Sequence, residues 1–209
     1  MSRGLFIGRF QPFHLGHIAA IKFAFTNVDE LIIVIGSSQA SYDPQNPFTA
    51  GERLSMIKDS LNADTLIDCK KTLIVPVPDT NVHSTWTHTV DMLVPKYDVV
   101  FTNNAFTGYL FIQRNITVTE PKLLNRDDLS GTEIRRRMLK KIKWTHLVTE
   151  QTQIVIQKIN GVERVKKLES TNVIISYHAA VNPQEIGLNV KTFVLVSLAW
   201  QKDNALNNF

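Results

Sequence analysis

Leu31-Ile32-Ile33-Val34-Ile35 is an unbroken apolar run in which four of five residues are β-branched. A strand points successive side chains to opposite faces, so a run with no polar member leaves neither face for water. Such a strand belongs in the middle of a parallel sheet covered on both sides. The rest of the chain fits that demand, because strand and helix signals alternate along it. Leu5-Phe6-Ile7 reads as a short buried strand. A helix from Gly16 carries Ile18, Ile21, Phe25 and Val28 at offsets of three, seven and ten, which share one helix face. After the central run, Gly36-Ser37-Ser38 leaves in a turn. Thr49-Ala50-Gly51-Glu52 matches a capping box and opens a second helix with Leu54, Ile57 and Leu61 inward. Leu73-Ile74-Val75 is a third strand, stopped by Pro76-Val77-Pro78, since proline has no N–H for a central ladder. Trp86 to Leu93 is a short helix, Val99-Val100-Phe101 a fourth strand and Ile116-Thr117-Val118 a fifth. Ser130-Gly131-Thr132-Glu133 is a second capping box, opening a helix marked by Ile134, Met138 and Ile142. A last helix over Gln153 to Ile159 stops at Asn160-Gly161. The expected fold is therefore α/β: a Rossmann-like parallel sheet with helices on both faces, then a C-terminal helical part and a tail.

The 209 residues suffice for one domain of 1–170 and an extension of 171–209. In the extension, Val190, Phe193, Val194 and Val196 fit either a strand or a helix. The single cysteine, Cys69, allows no intrachain disulfide and suits a reducing compartment. Residues 1–20 do not read as a signal peptide. The longest apolar stretch, Phe193 to Trp200, is far short of the roughly 20 residues that cross a bilayer. A cytoplasmic protein is expected, with no membrane partner. The net charge of +4 favours anionic ligands such as nucleotides and is a weak reason to expect nucleic acid.

Two segments carry chemistry. Gly8-Arg9-Phe10-Gln11-Pro12-Phe13-His14-Leu15-Gly16-His17 leaves the first strand and opens the first helix. Ligands of open α/β sheets bind at the carboxyl ends of strands, and a helix N-terminus there offers free N–H groups to an anion. Gly16 lets a phosphate approach the backbone. His14 and His17, three apart, can converge on one ligand, donate to phosphate oxygens and carry charge near neutral pH. A His-x-x-His pair can also ligate a metal, but no Cys, Asp or Glu stands nearby to complete a site. In the second segment, Ser130, Gly131 and Thr132 begin another helix with Arg135 about one turn in, suited to clamping pyrophosphate oxygens.

The segments at 8–17 and 130–135 resemble the nucleotidylyltransferase superfamily of the His-x-Gly-His type, and within it the archaeal-type nicotinamide-nucleotide adenylyltransferases. Asn46-Pro47-Phe48-Thr49-Ala50-Gly51-Glu52-Arg53, Val77-Pro78-Asp79 followed by Trp86, and Gly161-Val162-Glu163-Arg164-Val165 extend the resemblance over about residues 3–168. The resemblance implies ATP binding by Gly8, Arg9, Phe10, His14, Gly16, His17, Ser130, Gly131, Thr132 and Arg135. It implies that Trp86 stacks on the nicotinamide ring, with Asp79 and the turn at Gly36, Ser37 and Ser38 beside it. It further implies a divalent cation, usually magnesium, and a trimer or hexamer. The sequence departs from the pattern at Gln45, where relatives often carry a basic residue. It departs again at Asn104-Ala105-Phe106-Thr107-Gly108-Tyr109, where two more basic side chains are missing. These losses bear on phosphate affinity or assembly.

The expected reaction is attack of a mononucleotide phosphate on the α-phosphorus of ATP. His14, His17, Arg9 and Arg135 would carry the transition-state charge, with Ser130 and Thr132 on the leaving pyrophosphate. Two alternatives stay open at this stage. One is another acceptor, flavin mononucleotide or a phosphopantetheine. The other is a nucleotide- or RNA-binding protein without catalysis, using the basic helix at 135–143.

Overall fold

In a computed structural model, residues 1–121 and 129–170 are described. The chain divides into two units, Met1–Ile174 and Ile175–Phe209. The expected extension, 171–209, with its strand-or-helix alternatives at 190–196, lies outside the described residues, as do residues 122–128.

The first unit is built on five parallel strands: β1 (Arg3–Gly8), β2 (Glu30–Ile35), β3 (Thr72–Pro76), β4 (Val99–Phe101) and β5 (Thr117–Thr119), in the order β3-β2-β1-β4-β5. β1 lies between β2 and β4, pairing Gly8 with Ile35 on one side and Phe6 with Phe101 on the other. The apolar run in β2 is buried at every position, with Leu31, Ile33 and Ile35 in one core cluster and Ile32 and Val34 in the other. Period-two alternation thus fills both faces of the sheet. On the first face pack α1 (Leu15–Phe25) and α2 (Ala50–Ala63), through Ile21, Ala24, Met56 and Ile57. The later helices α5 (Gly131–Leu139), α6 (Glu150–Lys158) and α7 (Gly161–Ser170) join them through Ile134, Ile156 and Val165. On the other face lie α3 (Trp86–Leu93) and α4 (Ala105–Ile112), through Val90 and Phe111.

Several expectations shift in detail. α1 ends at Phe25, so Val28 lies past its end, buried all the same, while Phe25 is half-buried. On α2 the inward face carries Arg53, Met56 and Ser60 with Ile57 and Leu61, and Leu54 is only half-buried. β5 begins one residue later than expected, at Thr117. The helix α4 was not expected. Asn104 caps it by accepting from Thr107 N–H at 2.8 Å, a signal that stood in the sequence.

The first capping box forms completely: Glu52 N–H donates to Thr49 Oγ1 at 3.2 Å, and Thr49 N–H to Glu52 Oε2 at 2.9 Å. The second forms by half. Ser130 Oγ accepts from Glu133 N–H at 3.2 Å, but the Glu133 carboxylate turns to Arg136 and Arg137 at 2.6 and 2.7 Å. Two guanidiniums on the helix surface outcompete one backbone N–H for it. Ile142 falls past the end of α5 and is 43% exposed. Asn160 takes the left-handed conformation (φ 52°) and ends α6 as expected, yet Gly161 at once starts α7. A side chain at Gly161 would meet Phe48 Cε1 at 2.9 Å, so only glycine lets α7 lie this close to the loop before α2.

Candidate active site

The chain moves outward from β1 to β3 on one side and to β5 on the other, so the connections leaving β1 and β4 diverge and open a crevice at their carboxyl ends. Two cavities lie there. The smaller, about 180 Å³, is lined by Arg9, Phe10, Gln11, His14, His17, Gly131, Thr132 and Arg135. The larger, about 430 Å³, is lined by Gly8, Arg9, Gly36, Ser37, Asp79, His83, Trp86, Asn104, Phe106 and Thr107 among others. Arg9 belongs to both.

The wall of the smaller cavity is held by reciprocal contacts. Gln11 Nε2 donates to Phe48 O at 2.8 Å and Gln11 Oε1 accepts from Phe48 N–H at 3.0 Å, so one buried side chain ties the loop after β1 to the loop before α2. Arg135 Nη1 donates to Gln11 O at 2.6 Å, which joins α5 to the same loop. A Cβ at Gly131 would sit 2.7 Å from that carbonyl, a backbone atom with no room to yield. Gly131→Ala should therefore cost about 1–3 kcal/mol as an overpacked contact and lower the melting temperature by several degrees. An unchanged melting curve would refute this reading of the glycine.

His14 is the N-cap of α1, and its backbone N–H donates to His17 Nδ1 at 3.1 Å. With Nδ1 accepting, the proton of a neutral His17 sits on Nε2. The two rings stack at 3.6 Å, and His17 also lies 4.8 and 5.3 Å from the rings of Phe10 and Phe13. Burial pushes His14 down to about 4, and burial with His14 alongside pushes His17 well below its ordinary value. The pair in the free protein is thus neutral at physiological pH, a correction to the charged histidines expected. Loss of hydration beside Phe10 and Phe13 outweighs an opening for charge.

The expected ATP residues Arg9, Phe10, His14, His17, Gly131, Thr132 and Arg135 converge on the smaller cavity. Gly8 borders the larger one instead. Gly16 lines neither cavity. A side chain there would meet His14 Nδ1 at 3.0 Å, so its glycine makes room for the histidine ring, where an approaching phosphate was expected. Ser130 lines neither, its hydroxyl being committed to the helix cap.

Of the expected ring-pocket residues, Trp86, Asp79, Gly36 and Ser37 line the larger cavity, and Ser38 does not: its N–H holds Val77 O at 3.1 Å. Trp86 Nε1 donates to Pro78 O at 3.0 Å, and the indole stands edge-on to Phe111 at 6.4 Å, which fixes the ring as a wall. Asp79 is set by Gln39, whose Oε1 accepts from Asp79 N–H at 2.9 Å and whose Nε2 donates to Asp79 Oδ2 at 3.0 Å. His83 and Phe106, edge-to-face at 5.6 Å, complete the cavity and were not expected. No periodicity or motif marks them. They arrive through a loop and through the unexpected α4.

Arg53 was quoted from the sequence only as part of a motif, yet it is wholly buried at 0% exposure. Its guanidinium is lowered to about 10, first by burial, while Asp79 opposes and Arg9 assists that shift. Arg135 is lowered too, by burial and then by Arg9. Arg9 thus repels both of the other arginines, and an anion would relieve all three. Among the described residues, no group of three or more His, Cys, Asp or Glu could hold a metal ion. No helix among them is long and apolar enough to cross a membrane.

Residues 5–137 match the family described as cytidylyltransferase-like. The chain is 46% identical over 173 residues to the nicotinamide-nucleotide adenylyltransferase of Pyrococcus furiosus, covering 83% of this chain and 92% of that one. This chain belongs to that family. It is 42% identical over 172 residues to the nicotinamide-nucleotide adenylyltransferase of Saccharolobus solfataricus, covering 82% and 99% of the two chains. Among solved structures, a bifunctional NMN adenylyltransferase/ADP ribose pyrophosphatase from Francisella tularensis superposes with a TM-score of 0.69 at 20% identity, over 91% of this chain and 57% of that one. The same enzyme complexed with AMP and a Mn ion gives 0.65 at 21% identity, over 83% and 54%. At that identity the likeness is one of fold: the Rossmann-like sheet of nucleotidyltransferases.

Proposed function

We propose that this chain transfers AMP from ATP to nicotinamide mononucleotide, releasing NAD and pyrophosphate. The observation that carries the reading is Arg9, shared between a cavity walled by an aromatic ring and a smaller one lined by arginines, histidines and a helix N-terminus. One suits a base and its ribose, the other a polyphosphate, and the cation stands where two phosphates would meet.

In the reaction, an oxygen of the mononucleotide phosphate forms a bond to the α-phosphorus of ATP, and the bond to the β-phosphate breaks. A phosphate monoester has a second pKa near 6, so the nucleophile is already ionised and needs no general base. The protein's work is alignment and charge stabilisation. Arg9 and Arg135 supply charge, and His17 and His14 supply neutral donors. The free N–H groups of Gly131 and Thr132 at the start of α5 take the departing pyrophosphate. Arginines, imidazoles and N–H groups are donors for anions and poor ligands for a hard cation. The divalent cation, magnesium in this proposal, would therefore be held by the substrates' phosphate oxygens and water more than by this chain. It would supply further charge neutralisation at the phosphates.

Trp86 is proposed as the platform for the nicotinamide ring, with Asp79, Gly36 and Ser37 around it. Stacking on an aromatic side chain is worth about 1–3 kcal/mol, so Trp86→Ala should weaken mononucleotide binding about 5- to 150-fold. ATP affinity should hardly change. Calorimetric titration of both ligands checks this, and a loss of both affinities with melting temperature would return Trp86 to the core.

We place the chemistry within residues 1–170, in a cytoplasmic homo-oligomer, trimer or hexamer, whose partners are small molecules. The test of function is turnover of purified protein with ATP and magnesium against nicotinamide mononucleotide, nicotinic acid mononucleotide, flavin mononucleotide and phosphopantetheine. The expected result is NAD and stoichiometric pyrophosphate. Turnover of only the last two, or of none, would overturn the proposal.

A further inference from the structure

Among the described residues Arg53 is the largest fully buried side chain, and it is charged. Its hydrogen bonds run to backbone carbonyls: Nη1 to Arg9 O at 2.9 Å and Gly36 O at 2.8 Å, Nη2 to Ser37 O at 3.1 Å, and Nε to Thr49 O at 3.3 Å. Burying a cation is costly, and an apolar side chain of similar length would fill the same space without that cost. What it could not do is bond to four carbonyls in three segments at once. A planar guanidinium with a fixed fork of donors can.

The place of those carbonyls matters. The ladder between β1 and β2 closes with Gly8 opposite Ile35 and one further bond, Gly36 N–H to Gly8 O at 2.9 Å. Beyond it the two chains part to form the walls of the cavities, and Arg53 is the bond that continues between them. The carbonyls of Arg9, Gly36 and Ser37 all accept from it.

We infer that Arg53 is a positioning residue for nucleotidyl transfer: it fixes Arg9 against the Gly36–Ser37 wall and so sets the separation of the two reacting phosphates. The inference rests on the function proposed above. A lysine at this position keeps the charge but has three donors on one atom and no planar fork, so it cannot reproduce the bonds to all four carbonyls. Arg53→Lys should fold, keep the KM of ATP and of nicotinamide mononucleotide within about fivefold, and lose about 10²-fold in kcat, the usual cost of a misplacement near 1 Å. Millimolar guanidinium ion should raise the kcat of Arg53→Ala at least tenfold by re-entering the vacated site. A role in stability alone predicts the opposite pattern: a lower melting temperature with kcat per folded molecule unchanged. The inference is overturned by a folded Arg53→Lys with kcat within threefold of wild type, by a folded Arg53→Ala deaf to guanidinium, or by failure of both variants to fold. Wild-type protein without turnover removes the proposed function and this inference with it. Wild-type turnover with an unaffected Arg53→Lys removes this inference alone.

Discussion

His17→Ala is expected to lower kcat by about 10²–10³, the usual loss when one preorganised donor is taken from a developing charge. The preorganisation is visible. Nδ1 is occupied by the His14 N–H, the ring is stacked on His14 and Phe13, and Nε2 is left as the donor. Because the imidazole is neutral in the free protein, it contributes a directed N–H, and its enclosed site lets that N–H act in a low dielectric. Alanine also opens a space beside Phe10 and Phe13 and strips the His14 N–H of its acceptor. Some loss of stability is therefore expected with the loss of rate, and circular dichroism and a melting curve must accompany the kinetics. His17→Asn separates the two effects. Its carbonyl can accept from the cap and its amide can still donate, so its kcat should lie between wild type and alanine. A folded His17→Ala turning over at the wild-type rate would sink the assignment.

Stability should fall steeply on acidification from pH 6.5 toward 4. His14 binds a proton at its ordinary value of 6.5 in the unfolded chain but only at about 4 in the folded one. Between those values the unfolded state holds the extra proton, so stability rises with pH there, is complete above 6.5, and loses nothing more from this group below 4. At 1.36 kcal/mol per pH unit the window is worth about 3 kcal/mol for His14, and His17 acts in the same direction. The lowered carboxylates act in a more acidic window. For Glu52 burial raises the pKa but is outweighed by bonds from Arg164 and Thr49 N–H, so its contribution is lost only below its ordinary 4.5. Urea melts at pH 7, 6 and 5 read the effect, and His14→Asn should flatten the slope. Equal stability at pH 7 and 5 in the wild type would overturn the burial argument for both histidines.

How far such features can be read without coordinates depends on their range along the chain. The strands, most helices and the first capping box rest on residues within a few positions of one another. Their period and caps are local, and the sequence by itself determined them. It also placed Arg9, His14, His17 and Arg135 at or beside two helix starts, since a glycine-bearing turn into a helix is a local pattern. What only the tertiary structure decided involves contacts between distant segments. Arg53 reads as one polar residue on an amphipathic helix, and its burial follows from where β1 and β2 diverge. His14 and Gln11 lie over Gly16 and Gly131, so that a side chain at either would collide with them. The histidines are neutral because Phe10 and Phe13 exclude water around them. His83 and Phe106 join the larger cavity because a loop and α4 meet at the edge of the crevice. In each case desolvation or close approach sets the property, and both depend on packing between elements that local pattern does not specify.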